Sequence, residues 1–215
     1  MALEGLTFRR ATPADTDRIA EIMHGEPLGE VVGLSGGDRG LAARFGKEMV
    51  RMPGSPQGWQ HTVIAELDGE AVGVLQAGSD SVSFSLSPRL ALRAIQVFGL
   101  VNAIKLLPRV RARGRLNMSP PAGAYRVHEL HVDPRYRNRG IGGHMLEYAE
   151  GDARRLGHRV MSLTTTTVNP ARRLYERQGF RIVETRTDPA FERYTGIAGR
   201  HLMVKDLGSS IECKI

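Results

Sequence analysis

The chain is poorest in cysteine: among 215 residues the single one is Cys213, close to the C-terminus. One thiol excludes an internal disulfide framework and any zinc site built on cysteines, and points to a reducing, cytoplasmic setting. The seven histidines show neither H-x-x-x-H nor H-E-x-x-H spacing, so no metal site is expected. Between Met1 and Pro13 there is no apolar stretch of the kind a signal peptide needs. In the most apolar segment the longest uncharged run, Ala94 to Ile104, has eleven residues, against roughly twenty for a bilayer span. Acidic residues are missing altogether from Ser81 to His128. There Arg89, Arg93, Lys105, Arg109, Arg111, Arg113, Arg115 and Arg126 supply eight positive charges. The rest of the chain has 22 basic against 23 acidic residues, so the net charge of +7 belongs to this one segment.

What is there describes a globular chain, 25% charged and 41% apolar, long enough to bury a core. We read a single domain over 1–215, with a core from about 6 to 207 and an insertion from about 81 to 124. Leu6 to Arg10 alternates as a first strand. A helix follows to His24, with Thr12 or Asp15 as its cap. Residues 25–40 are rich in glycine and read as a loop. A second helix spans Arg39 to Met52, broken by Pro53-Gly54-Ser55-Pro56. His61–Leu67 and Ala71–Gln76 flank Asp68-Gly69, a strong hairpin signal. Arg200–Val204 reads as the last strand.

The most informative stretch is Val132-Asp133-Pro134-Arg135-Tyr136-Arg137-Asn138-Arg139-Gly140-Ile141-Gly142-Gly143. An alternating strand from Arg126 to Val132 enters it, and an amphipathic helix from Ile141 to about Leu156 leaves it. Glycines allow close backbone approach, and the first amides of a helix are unpaired donors that favour an anion. A strand, a basic glycine turn and a helix make a phosphate cradle. It is not the dinucleotide fingerprint, whose last glycine is replaced by Met145, nor a Walker loop, which needs Gly-Lys-Ser/Thr. Downstream, Asn169-Pro170 opens a short helix through Leu174-Tyr175-Glu176 that closes at Gly179-Phe180.

Arg-x-x-Gly-x-Gly after an alternating strand resembles the acetyl-CoA motif of the GNAT N-acetyltransferase family. Asn169 to Phe180 looks like that family's second signature, about 30 residues on. The resemblance spans Leu6 to Leu207 and is strongest from Arg126 to Arg181. It implies an α/β (α+β) fold: a mixed, mostly antiparallel central sheet of six to seven strands flanked by helices, splayed at the fourth strand. The helical insertion lies between strands 3 and 4. It implies acetyl-CoA as co-substrate, no metal, and a small-molecule primary amine as acceptor, attacked directly in a ternary complex.

Acetyl transfer from a thioester requires a held pyrophosphate, a polarised carbonyl, a neutral amine and a protonated leaving thiolate. Amides from Asn138 through Gly140, Ile141 and Gly142 to Gly143, with Arg137 and Arg139 beside them, suit the first. The resemblance assigns the main chain of Leu130, His131 and Val132 to the pantetheine arm and the oxyanion. Leu130 and Val132 should face the core, so Glu129 and His131 project from the other face. Glu129 is the preferred general base and His131 the runner-up, while His128 shares the Leu130 face. Tyr175 matches the family's thiolate-protonating tyrosine. Asn169 is expected on the cofactor's amide arm or as a cap. Arg172 and Arg173 could reach phosphates.

Within the insertion, Pro88 to Leu107 should be helical, followed by a basic Arg109–Arg115 stretch and a stiff return at Pro120-Pro121. Three roles compete for it: a lid or homodimer contact, a surface helix on anionic membrane, and RNA binding through residues 89–115. No aromatic residues interleave the arginines, which weighs against single-strand recognition.

Overall fold

The computed structural model describes residues 3–25, 29–52, 55, 57–79 and 88–208, apart from the side chains of Arg89 and Leu90. Residues 81–87 of the expected insertion, Pro53, Gly54 and Pro56 of the expected helix break, and Cys213 lie outside the described residues.

Seven strands form one sheet: β1 (Leu6–Arg10), β2 (Thr62–Leu67), β3 (Glu70–Gly78), β4 (Tyr125–Val132), β5 (Val160–Thr166), β6 (Arg181–Thr187) and β7 (Gly199–Asp206). Their spatial order is β1-β2-β3-β4-β5-β7-β6. Every neighbouring pair is antiparallel except β4 and β5, which run parallel. The Asp68-Gly69 hairpin forms as the sequence implies, both residues taking positive φ (53° and 82°) as a tight primed turn requires.

The helices are α1 (Thr16–His24), α2 (Gly29–Leu34), α3 (Arg39–Arg51), α4 (Pro88–Phe98), α5 (Leu100–Arg115), α6 (Ile141–Arg155), α7 (Arg172–Arg177) and α8 (Pro189–Thr195). On one sheet face, Ile141, Met145, Leu146, Ala149 and Ala153 of α6 meet Val63, Ala65, Leu75, Val127, Met161 and Met203. On the other, Ile19, Ala20, Ile22 and Met23 of α1 meet Ile64, Val74 and Val50. Alternation along β2 sends Val63 and Ala65 one way and Ile64 the other.

Three readings of the sequence are corrected. Residues 25–40 contain the helix α2, and α8 stands between β6 and β7. Asp188 caps α8 by accepting from Phe191 N at 2.8 Å, with Pro189 first and Gly196 left-handed at the end. The insertion helix breaks at Gly99 (φ 77°), then runs through Pro108 to Arg115, so the basic stretch is helical. That stretch also turns inward. Arg109 donates to Gly33 O at 2.9 Å and stacks on Tyr194, Arg113 pairs with Glu30 at 2.8 Å, and Arg115 grips Asp188 at 2.6 Å. Three cations of the expected basic flank are thus paired within the protein, while Lys105 and Arg111 stay exposed. Facing solvent are the apolar Leu92, Leu100, Val101, Ile104 and Val110 together with Arg93, Lys105, Arg111 and Arg115. No helix among the described residues is long and apolar enough to cross a membrane.

Candidate functional site

The glycine turn presents a row of donors. Asn138 (φ 63°) and Gly140 (φ 85°) both take the left-handed conformation, Gly140 as the N-cap of α6. Alternating handedness in successive residues turns neighbouring N–H groups to one side, which makes an anion nest. Among the described residues, the amides of Asn138, Arg139, Gly140, Ile141 and Gly142 find no acceptor. Gly143, expected as a sixth donor, instead closes the first turn on Gly140 O at 2.9 Å. Its amide is spent. A Cβ on Gly142 would lie 3.0 Å from Leu174 Cδ2 and within 4 Å of Leu130 and Val132, so this glycine lets α6 sit tight against α7 and β4. The two arginines divide. Arg137 Nε holds Val132 O at 3.1 Å, while the Arg139 guanidinium lies 5.2 Å from the Tyr136 ring.

β4 and β5 pair only from Tyr125 to Val127 against Met161 to Leu163. Beyond Val127 the strands part, and the β4 main chain from Glu129 to Val132 has no ladder to β5. The cleft opens beside the amide nest, and the β3 ladder leaves the main chain of Leu130 and Val132 facing it, while the expected third residue, His131, pairs with Val74 of β3. A β-bulge against β3 takes in His128, the register stepping from Gln76↔Glu129 to Ala77↔Val127. Tyr125, Val127, Leu130 and Val132 consequently all join the α6 core. Glu129 and His131 point the opposite way, as expected. Strict alternation, the basis for placing His128 with Leu130, does not survive the bulge.

On that opposite face the polar side chains are tied together. His131 Nε2 lies 2.9 Å from Glu129 Oε2, and Gln57 Nε2 donates to Glu129 Oε1 at 3.0 Å. Burial pushes the Glu129 carboxyl up, but the bonds from His131 and Gln57 and nearby imidazole charge outweigh it, holding Glu129 well below the usual carboxylate range. His24, at the end of α1, completes the group. It is buried, its Nε2 has no partner among the described residues, and burial lowers it to about 4 despite the opposing pull of Glu129. Gly46 of α3 makes room for the ring: a Cβ there would stand 2.3 Å from His24 Nδ1. Gln57 and His24 were missed in the sequence because nothing local marks a loop glutamine or a helix-end histidine as facing β4.

Tyr175 is buried on α7, edge-on to Phe180. Burial and, second, the Glu129 charge push its hydroxyl up to about 12. Asn169 is occupied at both ends: Nδ2 donates to Thr165 Oγ1 at 2.7 Å, and Oδ1 accepts from Ala171 N at 2.9 Å. It caps the turn before α7, whose regular helix begins at Arg172 and not at Pro170. Arg172 pairs with Glu176 at 3.3 Å along the helix, and Arg173 is exposed. Among the described residues there is no group of three or more side chains able to hold a metal ion.

The model of the Acetyltransferase (GNAT) family matches residues 42–180. Solved structures with similar folds include mosquito arylalkylamine N-acetyltransferase like 5b, 22% identical with a TM-score of 0.56, over 94% of this chain and 100% of that one. Another is Drosophila melanogaster polyamine N-acetyltransferase, 19% identical with a TM-score of 0.55, over 94% and 100%. A third is PaiA N-acetyltransferase from Thermoplasma acidophilum in complex with coenzyme A, 13% identical with a TM-score of 0.56, over 96% and 99%. No curated protein matches significantly.

Proposed function

The chain belongs to the GNAT acetyltransferase family, and on that premise we propose that it moves the acetyl group of acetyl-CoA directly to a primary amine of a small molecule, in the cytoplasm. Acetyl-CoA, when bound, supplies an activated acetyl thioester. The observation that carries the reading is the row of five unpaired amides, Asn138 to Gly142, beside a cleft where β4 leaves β5. A diphosphate suits those donors, with Arg139 adjacent. On the side away from β3, the main chain of Leu130 and the Val132 N–H are offered to the pantetheine arm and to charge developing on the thioester oxygen, whereas Val132 O is held by Arg137 and His131 pairs with Val74 of β3.

An alkyl amine titrates near ~10.4 and reaches the enzyme mostly as a cation. Glu129, held ionised by His131 and Gln57, is placed to take that proton directly or through a water; His131 is the second candidate. Tyr175 stays protonated at neutral pH and serves as donor to the departing sulfur. Asn169 orders the turn that carries Tyr175, which explains its place in the motif without cofactor contact. Arg137 fixes the end of β4, and Arg172 stays on the solvent side of α7. A small amine is favoured over a macromolecular acceptor because Arg109, Arg113 and Arg115, three cations of the segment that would dock one, already have partners within the protein.

Thiol release from acetyl-CoA against an amine panel tests the proposal. The expected result is amine-dependent thiol release, with Tyr175→Phe binding coenzyme A normally and turning over more slowly. Absence of coenzyme A binding by calorimetry at millimolar ligand would end it.

A further inference from the structure

Behind the acceptor side of β4, three arginines gather near one carboxylate that pairs with two of them. Glu30 Oε1 of α2 accepts from Arg113 Nε of α5 at 2.8 Å and from Arg200 Nη1 of β7 at 2.7 Å. Arg126 of β4 joins them: burial first and the charge of Arg200 second pull its guanidinium down. Arg126 reaches Thr164 Oγ1 only at 3.4 Å, and Arg200 donates to Thr164 O and Oγ1 at 3.2 Å. Among the described residues Arg126 has no carboxylate partner, and Arg200 Nε is buried with no acceptor at all. Three cations stand near one anion.

Carrying uncompensated charge into a protein is costly unless a partner completes it. Among the described residues Glu30 is the one carboxylate given to these arginines, and it pairs with only two of the three, although Asp and Glu pair readily with other arginines across the surface. The cluster stays within reach of solvent, the Arg113 side chain being 28% exposed. Arg126 also lines an open cavity of about 230 Å³ with Ser79 and residues 120–124.

Its position relative to the chemistry is set by β4. Tyr125, Val127, Leu130 and Val132 face α6, so Arg126, Glu129 and His131 share the other face. The bulge absorbs one residue, which leaves Arg126 and Glu129 two strand steps apart, roughly 7 Å at ~3.3 Å per residue.

We propose that Arg126, Arg200 and Arg113 bind an anionic group, a carboxylate or phosphate, on the acceptor, whose amine lies several bonds away at Glu129. This rests on the acetyl-transfer reading and narrows it. A diamine or polyamine would bring a second positive charge against the arginines and is disfavoured. Planar guanidiniums with unspent N–H groups suit bidentate oxyanion recognition.

The test uses the full chain with acetyl-CoA saturating in the turnover measurements and coenzyme A saturating in the calorimetry, so that cofactor phosphates are already accounted for. Thiol release is measured for ω-amino carboxylates of increasing length, an ω-amino phosphate, the matching neutral amides and alkylamines, and putrescine. Calorimetry of the N-acetylated carboxylates gives a readout independent of turnover. The anionic amines are expected to exceed the neutral ones roughly 10- to 100-fold in kcat/KM, the scale of a lost charge-assisted hydrogen bond. Whether carboxylate or phosphate is preferred distinguishes the two sources. Arg126→Gln should lose most of that preference through KM. Glu30→Gln should tighten the anion by freeing two guanidiniums, a gain that damage to the fold cannot mimic. Thiol release that is as good with neutral amines or putrescine overturns the proposal and leaves acetyl transfer standing. A Glu30→Gln variant that binds the anion more weakly also overturns it. If no amine releases thiol while carboxylates still bind in an Arg126-dependent way, the anion site stands and the acetyl-transfer reading falls.

Discussion

Glu129 carries the chemistry at the scale of single residues, and its surroundings set the pH behaviour. With His131 and Gln57 holding it ionised far below neutrality, Glu129 gives no acid limb in the working range. Tyr175, pushed up to about 12, gives no alkaline limb below that value. The kcat/KM profile should therefore rise with pH as the acceptor amine loses its proton. Glu129→Gln should lower kcat/KM by ~10²–10⁴, the usual contribution of a general base; a normal rate in that variant would move the role to His131. His24 governs stability. Its unfolded form titrates near 6.5 and its folded form near 4, so the unfolded chain takes up the proton first as pH falls. Stability present above 6.5 should drop between 6.5 and 4, by up to about 3 kcal/mol. Denaturant melts across this range should show a shallower slope for His24→Gln; an unchanged slope would place the proton elsewhere.

The elements show where local sequence is enough and where it is not. Gly140 was legible as a turn glycine, and the left-handed φ of 85° is the physical reason. Gly140→Ala should cost about 1 kcal/mol through strain and weaken coenzyme A binding more than it lowers the melting temperature; equal losses would mean the nest is only structural. The β4 bulge left a trace that strict alternation hid: His128-Glu129 is a polar pair between two apolar-alternating halves. α8 was written as Asp188-Pro189 followed by Gly196, a cap, a first-turn proline and a stop, and went unread because the segment is short. The break at Gly99 was equally local. By contrast, the Arg109–Arg115 stretch, expected to follow the helix, continues it past Pro108, because Arg109, Arg113 and Arg115 anchor it to α2 and α8.

At the scale of the whole molecule, the mixed sheet and the parting of β4 from β5 were implied by the family resemblance that the two motifs carry, whereas the exchange of β6 and β7 in the sheet order was not read. The direction of the insertion's charge was not legible. Composition counts cations but not their partners, and Glu30 and Asp188 are 83 and 73 residues away from the arginines they hold. The same inward turn leaves Leu100, Val101 and Ile104 exposed on α5. Ile104→Glu should consequently change stability by no more than about 0.5 kcal/mol, read from a chemical melt. A loss of several kcal/mol would show that this face is covered in solution.

The account depends most on the amide nest after β4, and backbone amide shifts on titrating coenzyme A into ¹⁵N-labelled protein test it directly. The largest shifts should fall on Asn138, Arg139, Gly140, Ile141 and Gly142, with Gly143 moving less because its proton is already bonded. Saturation by coenzyme A with those five signals unmoved would contradict the account.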